Sequence, residues 1–97
     1  MTAIMICDVA VKDRARLLDY LKLAAGTVEG FGGRYLAQAG EISVLEGDWS
    51  PEALVVVEFP TVEAAQRWYA SEAYAPALEI NPQAMIRKMV IVAGSDS

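Results

Sequence analysis

Residues 45–74, LEGDWSPEALVVVEFPTVEAAQRWYASEAY, read as a turn, a buried strand, a helix start, an amphipathic helix and a second cap. Leu54 to Phe59 is an apolar run of strand length that contains three successive valines and one charge, Glu58. A strand covered on one face alternates with polar residues, so this one is expected to be covered on both. Pro60 ends it, because proline has no N–H to give to the sheet ladder. Thr61 is placed to cap the next helix by accepting a free backbone N–H, and Glu63 in the first turn suits the positive end of the helix dipole. Val62, Ala65, Trp68 and Tyr69 then recur at helical spacing, which predicts one apolar face docked on the preceding strand.

The flanking chain supplies partners for that unit. Ala3 to Val11 is a strand apolar on both faces, Ile4 and Ile6 on one and Met5, Val9 and Val11 on the other, with Asp8 the exception. Asp13 can cap the helix after it. From Arg14 to about Gly30, Leu17, Leu18, Leu21, Ala24, Ala25 and Val28 make one helical stripe, ended by Gly30, Gly32 and Gly33. Arg34 to Ala39 and Glu41 to Glu46 read as two short strands joined at Gly40, either a hairpin or one strand broken by a bulge. Gly47 to Glu52 is a polar turn. Ser71 offers an N-cap to Glu72–Leu78, which Pro76 and Pro82 make short or irregular, and Lys88 to Val92 is a last strand. Residues 1–94 are expected to form a single domain and 95–97 a frayed tail.

The order βαββαβ gives an α+β, ferredoxin-like fold: an antiparallel sheet with both helices on one face. The other face, assigned to Ile4, Ile6, Leu54 and Val56, is apolar as well. Left bare, it would expose roughly several hundred square ångströms of apolar surface. A second copy of the chain is the simplest cover, which predicts a homodimer whose two sheets close face to face into a dimeric α/β barrel.

Composition narrows the function. Thirteen acidic against eight basic residues leave a net charge of −5 with no Lys/Arg cluster, so neither nucleic acid nor an anionic membrane is an expected partner. With no histidine and a single cysteine, Cys7, no metal site is expected and the usual hydrolase triad is excluded. Gly30, Gly32 and Gly33 come after a helix and precede a strand, the reverse of a nucleotide fingerprint, and no cofactor is expected. No apolar run reaches membrane-spanning length, and the opening has neither a basic region nor a cleavage site, so a cytoplasmic location is expected.

Gly32-Gly33-Arg34-Tyr35-Leu36, Leu45-Glu46-Gly47-Asp48-Trp49, Glu58-Phe59-Pro60, Trp68-Tyr69 and Ser71 with Tyr74 resemble, in order and spacing, the signature blocks of the family catalogued as domain of unknown function 1330. The resemblance covers nearly the whole chain. It implies a ferredoxin-like dimeric α/β barrel, related in fold to antibiotic-biosynthesis-type monooxygenases, muconolactone isomerases and stress-response barrel proteins, and it implies no agreed activity. The family pattern has basic residues where this chain has Gln38 and Ala53, and an arginine near Asn81. An acidic-substrate role therefore does not carry over directly.

The candidate catalytic residues are Asp8 and Glu58, which interrupt the two most apolar strands and face away from the helices. Two carboxylates close together in a low-dielectric cavity cannot both ionise, so one could serve as general acid or base. The alternative is that each lies at a strand end and fixes register or dimer geometry. Arg34 and Gln38, expected to share a face of their strand, are candidate ligand-binding residues, with Arg34 the anion donor or an ordinary partner of Glu46 or Glu58. Trp49 is a third, covering the barrel end or burying itself in the dimer partner. Two functions are consistent with these residues. One is a barrel that binds and transforms a small organic molecule as a cofactor-free isomerase or monooxygenase-like enzyme, and the other is a non-catalytic ligand-sensing or interaction module.

Overall fold

The computed structural model describes residues 2–95, so that of the expected frayed tail, 95–97, residues 96 and 97 lie outside it. In chain order its elements are β1 (Ala3–Val11), α1 (Arg14–Ala24), α2 (Thr27–Gly30), β2 (Arg34–Gln38), β3 (Ala53–Phe59), α3 (Val62–Tyr69), α4 (Ala75–Ala84) and β4 (Met85–Ala93). The strands form one antiparallel sheet in the order β2-β3-β1-β4, the α+β, ferredoxin-like arrangement. β1 is central, running from Ala3 opposite Phe59 to Val9 opposite Ala53 on one side, and from Ala3 opposite Ala93 to Val11 opposite Met85 on the other.

Side chains alternate across a strand, so the odd-numbered residues of β1 turn to the helices and the even-numbered ones away. Ala3, Met5, Cys7 and Val9 are accordingly buried, and with Val57, Phe59, Ala65, Trp68 and Tyr74 they make the core. Its densest part is aromatic: the Trp68 ring centroid lies 4.2 Å from that of Tyr74 and 5.6 Å from that of Phe59. Such ring pairs contribute roughly 0.5–1.5 kcal/mol each beyond area burial. Thr61 caps α3 as expected, its hydroxyl accepting the Ala64 N–H at 2.9 Å, and Asp13 caps α1 through the N–H groups of Ala15 and Arg16. Tyr69, expected on the buried stripe, is 45% exposed; only Trp68 and Ala65 of α3 are fully buried.

Four local expectations are corrected. The helix predicted to run from Arg14 to Gly30 breaks after Ala24, where Gly26 adopts φ 78°, and resumes as the short α2. The predicted strand Glu41–Glu46 does not form: residues 39–52 contain no strand, and Ala39, at φ 59°, turns the chain off the sheet as its N–H reaches the Leu54 carbonyl. The segment expected to be short or irregular is the ten-residue α4: Pro76 sits in the first turn, where no intrahelical N–H is required, and Pro82, inside the helix near its end, removes one intrahelical N–H without ending it before Ala84. Ser71 caps the preceding turn, its hydroxyl accepting the Tyr74 N–H at 3.1 Å, and not α4 itself.

Gly33 is required by packing. A Cβ there would lie 2.7 Å from a Val28 methyl and 2.8 Å from the Phe59 ring, contacts closer than real Cβ atoms make.

Candidate functional site

α1 packs chiefly on α4 and none of its side chains is fully buried. The space left between α1 and the sheet is a cavity of about 520 Å3. That lies within the range of small-molecule sites, roughly 300–1,000 Å3. Met5, Cys7, Val9 and Val55 of the sheet form its floor, and Leu17, Tyr20, Leu21 and Val28 its roof. The helical stripe read from the sequence thus lines a hollow instead of sealing a core.

One charge reaches into this apolar hollow, Arg87. Arg87 of β4 stands opposite Val9 and so shares its helix-facing side. Its Nη1 donates to the Tyr20 hydroxyl oxygen at 2.9 Å, and its guanidinium carbon lies 5.4 Å from the Tyr20 ring centroid and 6.0 Å from that of Tyr74. The hydroxyls of Tyr20 and Tyr74 are hydrogen-bonded to each other, with the two rings edge to face. Burial, then the neighbouring Tyr20, pushes the Tyr74 phenol well above the ordinary tyrosine value. Burial likewise raises the Cys7 thiol, with Arg87 offsetting part of the rise. For Arg87 burial opposes the charged form, but the two tyrosine oxygens outweigh it and the guanidinium stays protonated. Among the described residues the ion pairs are Arg16 with Asp19 and Arg34 with Glu58; Arg87 belongs to neither, and its Nη2 is buried with no acceptor.

The sequence-derived candidates fall elsewhere. Asp8 and Glu58 do face away from the helices, but Glu58 stands opposite Ile4 while Asp8 stands opposite Leu54. Four residues of strand separate them, about 13 Å, and the structure does not bring the carboxylates together. Glu58 accepts from Arg34 Nε at 2.8 Å, and Asp8 accepts from Trp49 Nε1 at 2.7 Å. Arg34 and Gln38 lie on opposite faces, a correction caused by a bulge. Between Tyr35 and Ala37, β2 advances two residues while β3 advances one. Arg34 therefore turns outward, whereas Gln38 faces the helices and is part of the cavity wall, as is Ala53. Trp49 lines a shallow groove of about 270 Å3 with Ile42, Val44, Leu45 and Leu54.

Sequence reasoning missed Arg87 and Tyr20. The rule that singled out Asp8 and Glu58, a charge interrupting an apolar strand, applies equally to Met85-Ile86-Arg87-Lys88-Met89. Adjacent residues of a strand point to opposite faces, so one of these two cations had to face the helices. Starting the strand at Lys88 hid that consequence.

The sequence profile described as "Domain of unknown function (DUF1330)" matches residues 2–95. The chain belongs to the DUF1330 family. No curated protein matches it. Among solved structures this DUF1330 chain is similar to RPA0582, a protein of unknown function from Rhodopseudomonas palustris, at 15% identity and a TM-score of 0.75 over 99% of this chain and 84% of that one. It is similar to SnoaB, a cofactor-independent oxygenase from Streptomyces nogalater, at 11% identity and a TM-score of 0.61 over 99% and 95% of the two chains. It is also similar to a dimeric protein of unknown function and ferredoxin-like fold from Bacteroides fragilis, at 11% identity and a TM-score of 0.55 over 96% of each. At these identities the DUF1330 chain shares a fold with the three structures. No helix among the described residues is long and apolar enough to cross a membrane.

Proposed function

We propose that this chain acts as a homodimeric α/β barrel that binds a small, mostly apolar organic molecule in the cavity between α1 and the sheet. The observation that carries the reading is that cavity: about 520 Å3, apolar on floor and roof, with one half-buried cation, Arg87, in its wall. The dimer is supported by the sheet's outer face, where Ile86, Val90 and Val92 are 63%, 59% and 49% exposed beside Ile4, Ile6, Leu54 and Val56. It is supported too by the dimeric relative of the same fold. We assign Asp8, Glu58, Arg34 and Trp49, all tied to the outer side, to the geometry of that dimer rather than to the cavity. A single unpaired cysteine suits a reducing compartment, and a cytoplasmic setting is part of the proposal.

A second reading adds turnover to binding. Fold likeness to a cofactor-independent oxygenase favours cofactor-free oxygen or proton-transfer chemistry in the same cavity over a purely ligand-sensing role. Native mass spectrometry of gently purified protein, followed by titration with naphthalene as an uncharged apolar probe, tests the primary reading. The expected result is a dimer that takes up one naphthalene per protomer, with uptake unchanged in Glu58→Gln. A monomer that takes up none overturns it.

A further inference from the structure

Resting on the reading of this cavity as a binding site, we propose that the natural ligand is an apolar carboxylic acid whose carboxylate is received by Arg87 together with the Tyr20 hydroxyl. Among the described residues that line the cavity, Arg87 is the one cation, and no aspartate or glutamate faces it. The hollow thus carries a positive charge with no ion-pair partner among the described residues, in a chain whose net charge is −5. Holding a guanidinium half out of water without a counter-ion is unfavourable. The Tyr20 and Tyr74 oxygens, the Cys7 thiol and the faces of two tyrosine rings meet part of that demand, but among the described residues no carboxylate pairs with Arg87.

A ligand carboxylate supplies what is missing. It brings the counter-charge, and its planar pair of oxygens suits one guanidinium edge or a guanidinium with a hydroxyl beside it. A phosphate fits less well. One arginine with no second cation leaves a dianion under-compensated, and the cavity has no glycine-rich loop to add backbone donors. The rest of the ligand must match walls of Val and Leu with Met5, Met85 and Met89, whose unbranched thioethers adapt to varied outlines. Gln38 and Tyr35 offer further polar contacts, and they fit an acid with at most one or two additional oxygen substituents.

Isothermal titration calorimetry at pH 7 with two matched pairs, benzoate against benzamide and 2-naphthoate against 2-naphthamide, tests the charge alone at nearly constant shape. The acid of at least one pair is expected to bind about tenfold or more tightly than its amide, the magnitude of a buried charge-assisted hydrogen bond. Arg87→Gln is expected to abolish the preference while leaving amide affinity within about twofold. Equal binding of acid and amide in the parent protein, or a preference that survives Arg87→Gln, overturns the proposal. Uptake of naphthalene without any preference for an acid sinks this inference and spares the cavity; failure of naphthalene to enter sinks the cavity reading first. Should Arg87→Gln not fold by circular dichroism, Tyr20→Phe keeps the ring and removes the hydroxyl. It is then expected to narrow the acid preference by about threefold or more, and an unchanged preference counts against the assignment.

Discussion

The helix layer meets the sheet differently at its two ends. Beneath α3, Phe59, Ala65, Trp68 and Tyr74 are wholly or almost wholly buried, and the Trp68 ring lies tilted against its neighbours, 4.2 Å from Tyr74 and 5.6 Å from Phe59. Beneath α1, the same layer stands off the sheet, rests on α4, and leaves small side chains such as Ala24, Ala25 and Ala53 around a hollow. The two ends meet at Tyr74, whose ring belongs to the packed half and whose hydroxyl reaches Tyr20 in the open half. A fold this small can give up packing at one end because large aromatic side chains concentrate stability at the other.

Truncation should read that division directly. Trp68→Ala is expected to lose about 3–5 kcal/mol, a fall of roughly 10 °C or more in the thermal midpoint. Leu17→Ala, on a wall that already faces empty space, is expected to lose less than about 1.5 kcal/mol. Equal losses measured by urea denaturation would break the comparison.

Gly33→Ala probes the packed half from its edge. The new methyl meets Val28 and Phe59 at 2.7 and 2.8 Å, so about 1–3 kcal/mol is expected, read in the same denaturation experiment.

Proton linkage tests the seam between the halves. The Cys7 thiol and the Tyr74 phenol are both raised, so the native state holds their protons after the unfolded chain has released them. Stability is therefore fully present below the ordinary values of 9.0 and 10.0 and falls as pH rises past them. The slope approaches about 1.4 kcal/mol per pH unit for each group. Denaturation between pH 7 and 11 should show a plateau and then this fall, shallower in Tyr74→Phe.

Filling the hollow should separate binding from folding. Ala53→Leu adds bulk to the wall and is expected to change stability by less than about 1.5 kcal/mol while weakening 2-naphthoate binding at least about tenfold by calorimetry. Smallest of all, Glu58→Gln removes a partly exposed pair with Arg34 and should cost under about 1 kcal/mol, with no change in ligand uptake.

The fold was legible because its cues are local. Alternation through Ala3–Val11, the proline stop at Pro60 and the Thr61 cap each arise from the geometry of one or two neighbouring residues, and each stands where the sequence puts it. The site was less so. Asp8 and Glu58 were correctly put on one face, but face alone carries no register, and the offset between β1 and β3 decides whether they meet. The hollow itself depends on how far α1 stands from the sheet, a tertiary distance that a stripe of leucines does not encode. Arg87 is within reach of strand alternation once the last strand begins at Met85, three residues before Lys88.

The bulge between Tyr35 and Ala37 sets the parity of the edge strand. Strict alternation over five residues would send both ends of β2 to the same side. The one surplus residue lets Arg34 serve the outer surface and Gln38 the inner one. Deleting Leu36 would remove the surplus and keep Arg34 opposite Glu58 and Gln38 opposite Val55, whereas drawing Leu36 into the ladder would turn the Gln38 amide out of the cavity wall while sparing the lining that β1, β4 and α1 provide.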